Sequence, residues 1–178
     1  MKTALRSLGF GLLAVAAQLT VGRSATPPAP TGVAAIWAYA GVWKVETEHF
    51  DSPYSKAGHE KATLHNVCWK DGAYLACNQY VDGESKILLV FTCSSTDNTC
   101  TSYQIPAGGQ EPGKGKLILD GDTWTFPWQV TDAGKTTYFR VVNVFVAPDR
   151  IEFRQEFSTD QTHRTITAKG SETKTAKD

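Results

Sequence analysis

The sequence predicts an all-β fold, an antiparallel up-and-down barrel of about ten strands with a short N-terminal helix. Short segments rich in β-branched and aromatic residues recur at intervals of roughly ten residues. Turn-forming pairs such as Asp71-Gly72 and Ala133-Gly134 separate these segments. Polar and apolar side chains alternate along them, so each strand has one buried and one solvated face, as strands of a closed antiparallel barrel do.

Each predicted strand is a short stretch between two turns. Only VAAIWAYA, at residues 33–40, has helical character. In chain order the predicted strands are GVWKVETEH, EKATLHNVCW, AYLACNQYV, SKILLVFTC, CTSYQI, GKLILD, DTWTFPWQV, KTTYFRVVNVFV, RIEFRQEF and QTHRTITAKG. Ten strands joined by short turns favour pairing in sequence order.

Four segments differ in composition. Residues 1–24 have the layout of a signal peptide, with a basic start, an apolar run and small residues at the end. Residues 25–32 form a Pro-rich linker, and residues 33–170 form the barrel domain. Residues 171–178 carry no large apolar residue and are expected to be a flexible tail. The apolar run is short for a membrane span, and the sequence has no second apolar run, so no span is expected after cleavage.

The charge balance argues against a nucleic-acid partner. The chain has 18 Lys and Arg against 18 Asp and Glu. Removal of residues 1–24 takes away three basic residues and no acidic one, which leaves 15 against 18 and a net charge of −3. A nucleic-acid-binding domain normally carries a basic surplus. The exported domain is therefore expected to be mildly acidic and to bind no nucleic acid.

The four cysteines are Cys68, Cys77, Cys93 and Cys100. An even number in an exported chain predicts disulfides, and three pairings are possible. Pairing 68–77 and 93–100 is favoured, because each pair flanks a turn. With Asp71-Gly72 at the centre of the first turn, Cys68 and Cys77 are expected diagonally opposite each other. The spacings do not match a zinc site, and no metal is predicted.

The strand at residues 122–130 predicts an aromatic wall. Trp124, Phe126 and Trp128 alternate with polar residues, so they project from one face into the expected interior. Pro127 lacks a backbone N–H, which predicts a bulge or a sheet edge at its position. Barrels of this size are either filled by side chains or enclose one small ligand.

Arg140 is the candidate for a charged group in that interior. It shares a strand face with Tyr138, Val142 and Val144, so it is expected to point inward and meet a carboxylate or phosphate. The alternative places Arg140 outside and the strand's other face in the core. The sequence does not decide between these two orientations of Arg140.

Motifs for catalysis are absent from the sequence. There is no Gly-x-Ser-x-Gly elbow, His-Glu-x-x-His or dinucleotide-binding fingerprint. The stretch 108–115 approaches a phosphate loop but has Gly115 where Ser or Thr must hold magnesium. The carboxylate pairs Glu46/Glu48 and Glu152/Glu156 are expected on solvated outer faces. No catalytic residue and no cofactor is predicted.

The motifs resemble those of a known family. GVW at 41–43, VCWKDGAYLAC at 67–77 and the stretch 119–160 are similar, in order and spacing, to motifs of an exported bacterial calycin-like (lipocalin-like) domain family of unknown function. The resemblance covers most of 33–170 and implies a closed barrel of about ten strands, often exported, with no assigned activity. Some calycin relatives bind haem through one histidine, for which His65 and His163 are the candidates, but a surface role is expected for both.

The chain is therefore expected to be a secreted or periplasmic, disulfide-bearing, calycin-like barrel that binds a small apolar or amphipathic molecule. Two alternatives stay open: a barrel lyase or isomerase, and an envelope interaction module with a filled barrel. The sequence names neither the ligand nor the oligomeric state. The predicted ligand-binding residues are Trp43, Trp124, Phe126, Trp128, Tyr138, Arg140 and Phe153.

Overall fold

Ten antiparallel strands close into a barrel in the computed structural model, which describes residues 31–94 and 99–176. A helix, α1 (Val33–Ile36), continues into a 3-10 turn (Trp37–Tyr39) before the first strand. The predicted all-β fold class, an antiparallel up-and-down barrel of about ten strands with a short N-terminal helix, is confirmed. The strands are β1 (Gly41–His49), β2 (Gly58–Asp71), β3 (Tyr74–Val81), β4 (Glu84–Cys93), β5 (Thr99–Pro106), β6 (Gly113–Asp120), β7 (Thr123–Asp132), β8 (Lys135–Ala147), β9 (Arg150–Ser158) and β10 (Thr165–Ala176).

Every strand pairs with the next along the chain, and β1 pairs with β10 to close the barrel. The end of β10 corrects the expected flexible tail, because residues 171–174 and Ala176 form ladder pairs with β1. Val45 lies opposite Glu172, and Lys44 lies opposite Thr173. The segment has no large apolar residue, but Thr has a high β propensity and β1 needs a partner. Closure of the sheet therefore orders the segment.

The N-terminal helix closes one end of the barrel. Ile36 is 1% exposed and packs in the main apolar core with Leu75, Phe91 and Leu117. Gly41 connects this helical segment to β1 with a φ of 105°, a backbone conformation that favours glycine. The apolar core therefore lies at the helix end.

Both favoured disulfides are present, Cys68–Cys77 and Cys93–Cys100. The first differs from expectation in register, because Asp71 pairs with Tyr74 and the turn is centred one residue later. Cys68 and Cys77 are therefore directly opposite each other, with Cα atoms 4.0 Å apart. Two disulfides indicate an oxidising, extracytoplasmic environment.

The predicted signal peptide and nearly all of the predicted linker lie outside the described residues. Within the described ranges, no helix has the length and hydrophobicity needed to span a membrane.

Candidate functional site

The barrel encloses a cavity of about 530 Å³ above the apolar core. Pockets of a few hundred to a thousand Å³ are typical of small-molecule sites. The predicted aromatic wall is present on β7, and Phe153 on β9 also lines the space. The members of the predicted ligand-binding set that line the cavity are Trp124, Phe126, Trp128 and Phe153.

Trp43, also in the predicted set, does not line the cavity. Its side chain has no exposed surface, and its indole Nε1 donates to the backbone oxygen of Tyr39 at 3.0 Å. Its ring centroid lies 5.8 Å from the ring of Tyr39 and 6.4 Å from that of Phe145. Trp43 therefore fixes the helical segment beneath the cavity.

Arg140 and Tyr138 point away from the cavity, which corrects the expectation for both. The turn between β7 and β8 consists of Ala133 and Gly134, and Asp132 pairs with Lys135. This register places the inward side chains of β7 opposite odd-numbered residues of β8, as in the pair Trp128–Phe139. The even-numbered side chains of β8 therefore lie on the outer face.

On the outer face, Arg140 belongs to an ion cluster in which the carboxylate is buried and the two arginines are partly exposed. Arg140 Nε donates to Glu156 Oε2, and Arg154 Nε donates to Glu156 Oε1, each at 2.6 Å. Glu156 was expected on a solvated face but is 5% exposed. Burial raises the pKa of Glu156, but the hydrogen bonds and charges of the two arginines outweigh burial and hold that pKa below its usual value.

Glu172, a residue that the sequence analysis missed, lies in the cavity wall and is 6% exposed. Its Oε1 accepts a hydrogen bond from the Tyr39 hydroxyl at 3.2 Å. Burial raises the pKa of the Glu172 carboxyl to about 7, and the hydrogen bond from Tyr39 offsets only part of this effect. Burial and the nearby Glu172 carboxylate raise the pKa of Tyr39 well above its usual value.

A hydrogen-bond network extends from Tyr39 along one side of the cavity. The side-chain amide of Asn66 donates to the backbone oxygen of Tyr39 at 3.1 Å. Gln79, which lines the cavity, donates to Asn66 Oδ1 at 3.0 Å. The network gives partners to these buried groups and fixes the helical segment against β2 and β3.

Three buried polar atoms in the cavity wall have no hydrogen-bond partner among the described residues. They are Ser102 Oγ, Asn143 Oδ1 and Glu172 Oε2, on β5, β8 and β10. An unsatisfied buried polar group costs about 1–3 kcal/mol. Two of the three, the amide oxygen and the carboxylate oxygen, act only as acceptors when Glu172 is ionised. The wall therefore offers acceptors to a molecule that carries hydrogen-bond donors.

The barrel has a lateral opening between residues 113–116 of β6 and residues 126–128 of β7. Every residue of β6 and β7 is described, and the two strands pair only next to the turn that joins them. The pairs run from Ile118–Thr125 to Asp120–Thr123. Along a strand, successive backbone nitrogens point alternately to the two neighbouring strands. The nitrogen of Asp132 points to its partner Lys135 on β8, so the nitrogen of Pro127, an odd number of residues away, points to β6. Because proline has no N–H to donate there, β7 has an edge at this point, as expected.

Two glycines of β6 widen the space inside the lateral opening. Gly113 and Gly115 pair with Gln104 and Ser102, whose side chains line the cavity. A Cβ at Gly113 would have only the flexible Gln104 side chain within 4 Å, at 3.5 Å or more. A larger residue at this position would therefore extend into free space.

Neither of the two candidate histidines, His65 and His163, lines the cavity. His163 is exposed, and its Nδ1 lies 2.7 Å from Asp160 Oδ2. His65 lies on β2 with its ring centroid 6.0 Å from that of Tyr80. Across 31–94 and 99–176, no group of three or more His, Cys, Asp or Glu side chains is arranged to hold a metal ion.

Several solved structures are similar to this chain, and one of them is a lyase. The S-type phycobiliprotein lyase CPES from Guillardia theta is 12% identical, with a TM-score of 0.43, over 84% of this chain and 96% of that one. No family model matches the sequence. No curated protein matches it either.

Proposed function

We propose that this protein binds a small amphipathic molecule inside the barrel, and that the molecule has an apolar body and at least one hydrogen-bond donor. The three unpartnered polar atoms of an otherwise largely aromatic and aliphatic cavity carry this proposal. Without a ligand or water they are buried and unsatisfied, and a donor from a bound molecule would satisfy them.

The proposal includes export and family membership. The signal-peptide pattern of residues 1–24, together with the two disulfides, supports secretion or delivery to a periplasm. The barrel is compatible with membership of the bacterial calycin-like family that the motifs resemble. We propose residues 33–176 as the folded ligand-binding domain.

A pair of fluorescent probes tests the proposal. N-phenylnaphthylamine has an apolar body and one N–H donor, and its N-methyl derivative lacks that donor. Above the Glu172 pKa of about 7, where the carboxylate is ionised, we expect the first probe to bind wild-type protein saturably. Its dissociation constant should be about tenfold lower than that of the second, because one hydrogen bond to a charged group contributes about 1.5 kcal/mol or more. Fatty acids, retinoids and haem are then tested as competitors.

The preference for the donor is expected to disappear in Glu172→Leu. Glu111→Leu is the matched control, because Glu111 is exposed in the β5–β6 loop, and it should keep the preference. Equal affinities of the two probes for the wild-type protein would refute recognition of a donor. Absence of binding by both probes would refute an amphipathic-ligand site in the barrel.

A second candidate function is catalysis in the same cavity, and Glu172 is the observation that favours it. A buried carboxyl with a pKa of about 7 is suited to general acid–base work. A lyase or isomerase would change a bound competitor chemically, whereas a binding protein would release it unchanged. Mass spectrometry of competitors recovered after incubation separates the two.

A further inference from the structure

A groove of about 810 Å³ lies on the outer side of the lateral opening. Five residues line both this outer groove and the inner cavity, so the two spaces meet at the opening. These shared residues are Lys114, Gly115, Lys116, Pro127 and Trp128. A molecule of sufficient length can therefore extend from one space into the other.

The outer groove is strongly basic. Lys114, Lys116, Arg140 and Arg164 line it, and none of the described residues in its lining is acidic. Glu156 pairs with Arg140 from outside this lining and also with Arg154, so it offsets only part of the charge. Residues 25–178 together carry a net charge of −3, so these four cations are a local concentration of positive charge on a mildly acidic chain.

One cation in the groove has an unused donor. Arg164 Nη1 is buried and has no hydrogen-bond partner in the described part of the chain. A buried guanidinium donor without a partner is unfavourable, and an anion is the group that satisfies it best. Lys114 is also held close to the groove, with its Nζ 5.7 Å from the centre of the Tyr103 ring.

We infer that the outer groove binds an acidic group, a carboxylate, phosphate or sulfonate, that belongs to the same molecule whose apolar body occupies the cavity. This inference rests on the proposed function. Continuity of the two spaces supports a single ligand over a separate inorganic anion. The ligand would then lie across the lateral opening, with its hydrogen-bond donor toward Glu172 and its acidic group at the surface.

The test uses 5-anilinonaphthalene-1-sulfonate beside N-phenyl-1-naphthylamine, since the two share an aromatic body and differ by one sulfonate, which lies on the other ring from the N–H donor. We expect wild-type protein to bind the sulfonate at least about tenfold more tightly at low salt, with the advantage shrinking as ionic strength rises. In Lys114→Glu/Lys116→Glu, affinity for the sulfonate should fall at least about tenfold, and affinity for the neutral probe should fall much less.

Lys44→Glu is the matched control, because Lys44 is exposed on β1, which lies opposite β6 in the ring of ten strands. It should leave both affinities as in wild type. If the neutral probe binds and the sulfonate has no advantage, the inference fails while the proposed function stands. If neither probe binds, both fail. If sodium sulfate raises the melting temperature of wild type clearly more than that of Lys114→Glu/Lys116→Glu, without any advantage for the sulfonate probe, the groove takes a free anion and the inference is wrong.

Discussion

Replacing Gly170 with alanine is expected to lower the free energy of unfolding by about 3 kcal/mol or more. A Cβ at this position would lie 2.1 Å from the backbone oxygen of Glu46 on β1 and 2.6 Å from Cζ of Phe153 on β9. Because one obstacle is backbone, β1 or β10 must shift at the junction that closes the barrel. Urea unfolding followed by tryptophan fluorescence measures the change.

Gly58→Ala is the control for this prediction. Gly58 is also a strand glycine, on β2, and a Cβ there would meet nothing within 4 Å. Its replacement should leave stability unchanged or raise it slightly, since alanine restricts the unfolded chain. Equal effects at the two positions would show that close approach of β1, β9 and β10 does not require Gly170.

Replacing Glu172 with glutamine is expected to remove a pH dependence of stability. The Glu172 carboxyl loses its proton near its ordinary pKa of 4.5 when the chain is unfolded and at about 7 when it is folded. Between these values the folded state binds more protons, so wild-type stability falls as pH rises through this window. Glutamine stays neutral, and the wild-type protein should lose about 3 kcal/mol relative to the variant between about pH 4 and about pH 9.

Unfolding free energies of both proteins across this pH range test the prediction. Glu111→Gln, an exposed carboxylate changed in the same way, should follow the wild-type curve. A constant difference between wild type and Glu172→Gln at all pH values would mean that Glu172 is not buried in the folded protein. The placement of Glu172 in the cavity wall would then be wrong.

The strands could be predicted from sequence because strand alternation and turn residues are local signals. The predicted first strand has the bounds of β1, and β8 and β9 begin at the predicted residues. The pairing register between neighbouring strands depends less on local sequence. Taking Ala133-Gly134 as the centre of a two-residue turn places Trp128 opposite Phe139, and this pairing was sufficient to put Arg140 outside. The same assumption at Asp71-Gly72 is wrong by one residue, so turn residues alone do not fix register.

The polar part of the site was not predictable in the same way. Glu172 lies in a Thr- and Lys-rich segment that resembles a tail, and only pairing with β1 makes it a buried wall residue. Ser102 and Asn143 carry no distinguishing local pattern. The place of Ser102 in the wall depends on its pairing with Gly115, and the role of both residues depends on the absence of hydrogen-bond partners, which are properties of the closed barrel. The aromatic wall of β7 was predictable because alternation alone assigns its face.

Filling the cavity with a larger side chain is the most direct test of whether the interior of the barrel is the binding site. Val141 lines the cavity, and Val144, on the same strand, has the opposite parity and faces outward. We expect Val141→Trp to weaken binding of N-phenylnaphthylamine at least about tenfold and Val144→Trp to leave it unchanged. If Val141→Trp fails to fold, Gly113→Phe, which extends into free space, serves in its place. Undiminished binding by a folded cavity-filling variant would contradict the account.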